Sequence, residues 1–232
     1  MRCIWEHNGD DTLLYSADCI GAFTRGENLE VAIRKMQNEI ISYFSWQEEM
    51  IPEHIEVEIV QEKKSDLQIA DADSDVIFDD EQKPLTREEY LKLKKLVLKS
   101  AEDFYVLYQS IPSKEESCLP ERKTFYGAVP RTAREMYEHT KNVNAYYFGE
   151  IDIEADNEGT ILECRKRGFE LLEMKEGFLK NEVIEGSYGE FWSLRKMMRR
   201  FLWHDRIHAK AMYRMAVKTF GKDVVENRFK FS

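Results

Sequence analysis

Apolar residues follow two periods along this chain. Short alternating runs with one helical interlude fill it up to about residue 63; from residue 86 apolar positions recur every third or fourth residue. Residues 2–8 read as a strand, Gly9-Asp10-Asp11 supplies turn chemistry, and 12–20 reads as the return strand of a hairpin. Gly21 interrupts, and 22–25 makes a third short strand. Asn28 is a good helix N-cap, and Leu29, Ala32, Ile33, Met36, Ile40 and Tyr43 mark an amphipathic helix over 29–46. Pro52 closes that region, and 54–62 alternates as a fourth strand with one buried face.

The second half is helical. Thr86-x-x-Glu89 is a capping box opening a helix whose face runs Tyr90, Val97, Ala101, Phe104, Tyr108 and Ile111, stopped by Pro112. Thr132-x-x-Glu135 opens a second, with Met136, His139, Val143 and Tyr146 on one stripe. Gly159-Thr160 opens a third, with Ile161, Cys164, Leu171 and Leu172 on its apolar side and Gly177 at its end. The fourth is the longest, 193–220, closed by Gly221; its stripe is Leu194, Met197, Phe201, His204, His208, Ala211 and Met215. The expected fold is therefore α+β: a β-β-β-α-β domain over 1–65, a linker over 66–85 and an up-down four-helix bundle over 86–232.

Between the two periods, residues 66–84 carry Asp71, Asp73, Asp75, Asp79, Asp80 and Glu81 with little apolar periodicity. That composition reads as a solvated acidic linker that adds little to either core. Asp71-x-Asp73-x-Asp75 lacks the turn glycine and terminal glutamate of a calcium loop. Val76-Ile77-Phe78 is the run able to dock onto a neighbouring surface.

Charge then narrows the function. A net charge of -10 and a pI near 5.2 argue against unspecific binding to nucleic acid or to anionic membranes, both of which need a basic surface. No apolar run approaches the roughly 20 residues of a membrane span, and the opening residues read as a strand rather than a leader. Cys3, Cys19, Cys118 and Cys164 are scattered without a Cys-x-x-Cys pair, which suits reduced thiols in a cytoplasm. The basic residues of the fourth bundle helix (Arg195, Lys196, Arg199, Arg200, Arg206, Lys210, Arg214 and Lys218) read as a solvated outer face, with a cationic rim for an anionic thiol cofactor or for the acidic linker as the alternative. Asp205 reads as surface, and Tyr146, Tyr147, Trp192 and Trp203 as packing, with a wall of a substrate pocket as the alternative.

Three of the five histidines lie on inward stripes: His139 on the second bundle helix, and His204 and His208 on the fourth. Spacing of four puts the last two on one helical face. A divalent transition metal needs neutral imidazole nitrogens converging at about 2.0–2.1 Å, and bundles build metal sites from facing helices. Three protein ligands leave a coordination position open, the pattern of a catalytic site if the metal is zinc.

The run Val129-Pro130-Arg131-Thr132-Ala133-Arg134-Glu135-Met136-Tyr137-Glu138-His139, with Trp192 to His208 ending Trp203-His204-Asp205-Arg206-Ile207-His208, resembles the second and last helices of the DinB/YfiT-like superfamily. The resemblance covers about residues 86–225 and implies His139, His204 and His208 as ligands of nickel, zinc, manganese or iron. It further implies thiol-dependent S-transferase or isomerase chemistry, in which the metal activates a low-molecular-weight thiol for attack on an electrophilic small-molecule substrate. The alternative is a metal-binding or regulatory module without catalysis. Ala17 to Ala32, with Gly21-Ala22-Phe23-Thr24-Arg25-Gly26, is similar to the amino-terminal domain of HicB-type antitoxins over about residues 2–63. No HicB-like DNA-binding domain follows, so that likeness implies a reused fold serving homodimerisation or ligand contact, without a nucleic-acid partner.

Overall fold

The computed structural model describes residues 1–124 and 127–231. It begins with β1 (Arg2–Asn8), β2 (Asp11–Ser16), β3 (Phe23–Gly26), α1 (Leu29–Gln47) and β4 (Glu58–Lys64). The sheet order is β3-β2-β1-β4, antiparallel except for the β1–β4 pair, which is parallel. This is the expected β-β-β-α-β unit, and Asn28 caps α1 by accepting from the Val31 amide. Two strand bounds differ from expectation. The second strand stops at Ser16 rather than running to 20, because a turn takes over, with the Ser16 amide bonded to the Ala22 carbonyl and the Cys19 amide to Ser16 Oγ. The fourth runs from Glu58 to Lys64 rather than 54–62; its register is set by pairing with β1, which begins at Arg2 opposite Glu58.

The helical half contains α2 (Arg87–Ser110), α3 (Ala133–Gly149), α4 (Ile161–Met174) and α5 (Leu194–Phe220). Capping boxes open α2, α3 and α4, at Thr86, Thr132 and Thr160. Helices α2 and α3 each pack against both α4 and α5, making a four-helix bundle. Two-residue ribbons, β5 (Lys123–Thr124) with β6 (Gly127–Ala128) and β7 (Ile184–Glu185) with β8 (Phe191–Trp192), decorate the connections. No helix is long and apolar enough to cross a membrane.

The sheet is buried on both faces, which decides where everything else sits. Cys3 and Leu14 face α1 and share a core with Ala32, Met36 and Ile40 that runs on into the bundle through Phe104, Phe201 and Leu202. Ile4, Leu13, Tyr15 and Phe23 point the other way and pack with Ile69, Val76, Phe78 and Trp203. The expectation of a solvated acidic linker is thus corrected: Ile69, Val76 and Phe78 form a layer over the sheet, each at most 3% exposed. Its acids are accommodated by partners. Glu81 is buried against Arg199, Asp71 pairs with Arg122 and Asp75 with Lys63. Gly21 (φ +90°) lets the turn after β2 approach α5 so closely that a β-carbon there would lie 2.5 Å from Leu202 Cβ.

Helix α5 consequently has bundle on one side, sheet and acidic segment on another, and α1 on a third. The solvated basic face expected of it does not exist over its first half. Lys196, Arg199 and Arg206 are buried, each against a carboxylate: Glu190, Glu81 and Glu39 respectively. Asp205, read as surface from sequence, is fully buried and paired with Arg165 of α4 at 2.6 Å. Tyr147, Trp192 and Trp203 pack as expected, whereas Tyr146 is 38% exposed.

Candidate metal centre

Helix α3 brings one imidazole to the site and α5 brings two. The helices are held together by Tyr147 and Phe148 of α3, which meet Phe201 of α5 with ring centroids 5.1 and 5.4 Å apart. One turn beyond Phe201, His204 faces His139 with Nε2–Nε2 3.2 Å apart. His208 follows a turn later. Its ring centroid lies 4.5 Å from that of His204 and 4.7 Å from that of His139. One ligating atom from each of the three lies within 4.8 Å of those of the others, so a single ion can be shared among them with small side-chain adjustments. The structure therefore brings together all three histidines singled out in the sequence.

Electrostatics prepares these rings as ligands. Burial pushes the pKa of His139 down, and that of His208 down to about 3, with His139 adding to the effect. His204 is held well below 6.5, first by burial and then by the like charges that His208 and His139 would carry. All three are neutral at pH 7, the form that coordinates metal.

Three neutral imidazoles present three N–H donors and three lone pairs, yet the described residues give the cluster one hydrogen-bond contact, between His204 and His139. Nδ1 of His204 is buried with no partner. A metal on the Nε2 side would satisfy the converging lone pairs, so the donor set fits a divalent transition ion. It would leave the His204 Nδ1 proton without the carboxylate or carbonyl acceptor that usually orients a ligating ring. Here orientation is supplied by packing instead, with Tyr147 edge-on to His204 at 6.0 Å. His139 and His208 are partly buried and His204 is buried.

One residue beside the site was read from sequence only as a member of a set. Arg200 lies one turn before His204, its guanidinium 4.8 Å from the Trp203 ring centre and about as close to Trp192 and Tyr147 at 5.5 and 5.6 Å. In sequence it is one cation among eight on that helix, and nothing there separates it from its neighbours. A cavity of about 480 Å³ opens elsewhere, between Phe23, Lys35 and Glu39 on one side and Ile207, Lys210 and Arg214 on the other; none of the three histidines lines it.

Comparison of the chain with protein-family models, with curated proteins and with solved structures gives no match. What stands is a small β-β-β-α-β domain, a helical bundle and a histidine cluster able to hold a metal ion.

Proposed function

We propose that this chain is a divalent-metal-binding protein of the DinB-like kind, with His139, His204 and His208 as its ligands, and that it is a metal-dependent thiol S-transferase. The observation that carries the reading is the approach of three neutral imidazoles from two helices, with one potential ligand atom of each within 4.8 Å of the others. Nickel, zinc, manganese and iron all suit imidazole donors to differing degrees. When bound, such an ion supplies Lewis acidity that favours the thiolate form of a thiol at an open position. The chain itself supplies three ligands and no fourth His, Cys, Asp or Glu joins that group among the described residues.

The test is elemental analysis of protein purified without a histidine tag, followed by a screen for thiol-dependent conjugation. One equivalent of a first-row metal is expected, lost in His204→Ala and in His208→Ala while far-UV circular dichroism stays near wild type, since Phe201, Met197 and Tyr147 still hold the helices. Metal retained by either variant would remove these residues from the ligand set. Stoichiometric metal without any thiol-dependent turnover would favour the alternative, a non-catalytic metal-binding module.

A further inference from the structure

The buried cations of α5 and its neighbours follow one rule and break it once. Arg165 pairs with Asp205, Arg199 with Glu81, Arg206 and Lys210 with Glu39, and Lys196 with Glu190. Arg200, half-buried, has no carboxylate at ion-pair distance among the described residues. Its Nη1 donates to the Ser74 carbonyl at 2.7 Å, the Tyr147 hydroxyl lies against it, and its buried Nε has no partner at all. Glu190 and Asp73, whose charges act on Arg200, lie beyond ion-pair distance of it, and Glu190 is bound to Lys196 at 2.9 Å. Leaving a guanidinium in such surroundings is costly unless something negative completes it.

Its position says what that something is near. Arg200 and His204 are four residues apart on one helix, about 6 Å along the axis and on the same face. The Tyr147 ring joins them, carrying the Arg200 guanidinium at 5.6 Å on one side and meeting His204 edge-on at 6.0 Å. We infer that Arg200 is the anion anchor of the histidine site, and that the ligand is a small carboxylate-bearing molecule whose carboxylate pairs with Arg200 while its other end reaches the histidines. A carboxylate suits a guanidinium that has no acid in contact with it, and the Trp192, Trp203 and Tyr147 rings beside Arg200 lower the dielectric in which such a pair would form. The inference rests on the metal-site reading for what the far end of the ligand does, but the carboxylate contact stands apart from it. Arg200 is a specificity residue in this assignment.

The experiment compares an acid with its neutral isostere in two forms of the full chain. In metal-loaded protein, 3-mercaptopropionate and 3-mercaptopropionamide are titrated at pH 7 by calorimetry. The acid is expected to bind at least about tenfold more tightly, the range of a charge-assisted hydrogen bond. In chelator-treated protein, propionate and propionamide are titrated while the emission of Trp192 and Trp203 is followed, and the acid is again expected to be preferred. Arg200→Gln should reduce either preference to within about twofold, and Arg200→Lys, which keeps the charge but loses the fork, should retain only part of it. Equal affinity of wild type for acid and amide in both forms overturns the inference, as does a preference unchanged in Arg200→Gln. Should Arg200→Gln not fold, the wild-type comparison and Arg200→Lys decide alone. If the protein takes up no metal, the metal reading falls, and the chelator-treated arm still supports or overturns the anion site.

Discussion

The ion pairs packed around α5 and the histidine cluster on the same helix bury polar groups in two different ways. Arg165–Asp205, Arg199–Glu81 and Arg206–Glu39 place each charge against an opposite one, and at Glu39 the burial that would push its pKa up is outweighed by Arg206 and Lys210. These pairs join α4, the acidic segment and α1 to a single helix. The histidines join α3 to α5 with one hydrogen-bond contact and a buried nitrogen without a partner. Opposite charges brought into contact hold a fold even where single nitrogens such as Arg165 Nε go unpartnered; neutral imidazoles converging without an acid between them are the arrangement a metal ion completes. The two should therefore respond oppositely to mutation: loss of a pair member costs stability, and loss of a histidine costs binding.

The largest effect is expected at a fully buried ion pair. Asp205→Ala leaves the Arg165 guanidinium, 0% exposed, without its counter-charge. About 3–5 kcal/mol of unfolding free energy should be lost, read from urea denaturation. The double replacement Arg165→Met with Asp205→Leu should recover most of that loss, because the pair itself carries a large desolvation cost. A single variant as stable as wild type would show that Asp205 contributes no compensation to Arg165.

A smaller effect is expected where the acidic segment covers the sheet. Ile69→Ala removes a side chain 1% exposed from the layer it shares with Val76, Phe78 and Trp203. It should cost about 2–3 kcal/mol. Limited proteolysis of wild type should spare residues 69–82 and open that region in the variant. Early cleavage of wild type there would mean that this layer opens independently of the bundle.

Legibility in the sequence follows from what each region relies on. The histidine stripe was readable because a helix imposes its period on polar and apolar residues alike, so His204 and His208 keep step with Met197 and Phe201. The β-β-β-α-β unit was readable for the same reason, through alternation and the Asn28 cap. The acidic segment has no period to read: its anchors, Ile69, Val76 and Phe78, are irregularly spaced among acids whose partners lie on other elements, Arg122, Lys63 and Arg199. A lone carboxylate such as Asp205 looks like surface until its partner forty positions away in sequence, Arg165, is known to face it. Arg200 could not be told from the other cations of its helix for the complementary reason: what separates it from Lys196, Arg199 and Arg206 is that they reach Glu190, Glu81 and Glu39 and it reaches no acid among the described residues.

The smallest effect concerns pH and separates the two sets most finely. Each cluster imidazole binds its proton more weakly in the folded chain than in the unfolded one, because burial, and for His204 and His208 the neighbouring rings, disfavour the charged form. Between the unfolded value near 6.5 and the depressed folded values, the unfolded chain therefore takes up more protons. Stability of the metal-free protein should fall as pH drops from about 6.5 toward the value of about 3 reached by His208. Between pH 6.5 and 5.5 the loss should be on the order of 1 kcal/mol. Carboxylates add their own acid dependence, so the measurement is a difference: thermal unfolding of wild type and of His204→Ala with His208→Ala, followed in parallel from pH 7 to pH 5. The variant should show the flatter profile over this window. Metal-loaded wild type should also be flatter near neutrality, its ligands being held deprotonated by the ion, until acid releases it. Parallel profiles for metal-free wild type and variant would show that the imidazoles are solvated in the folded protein and that burial does not depress their proton affinity.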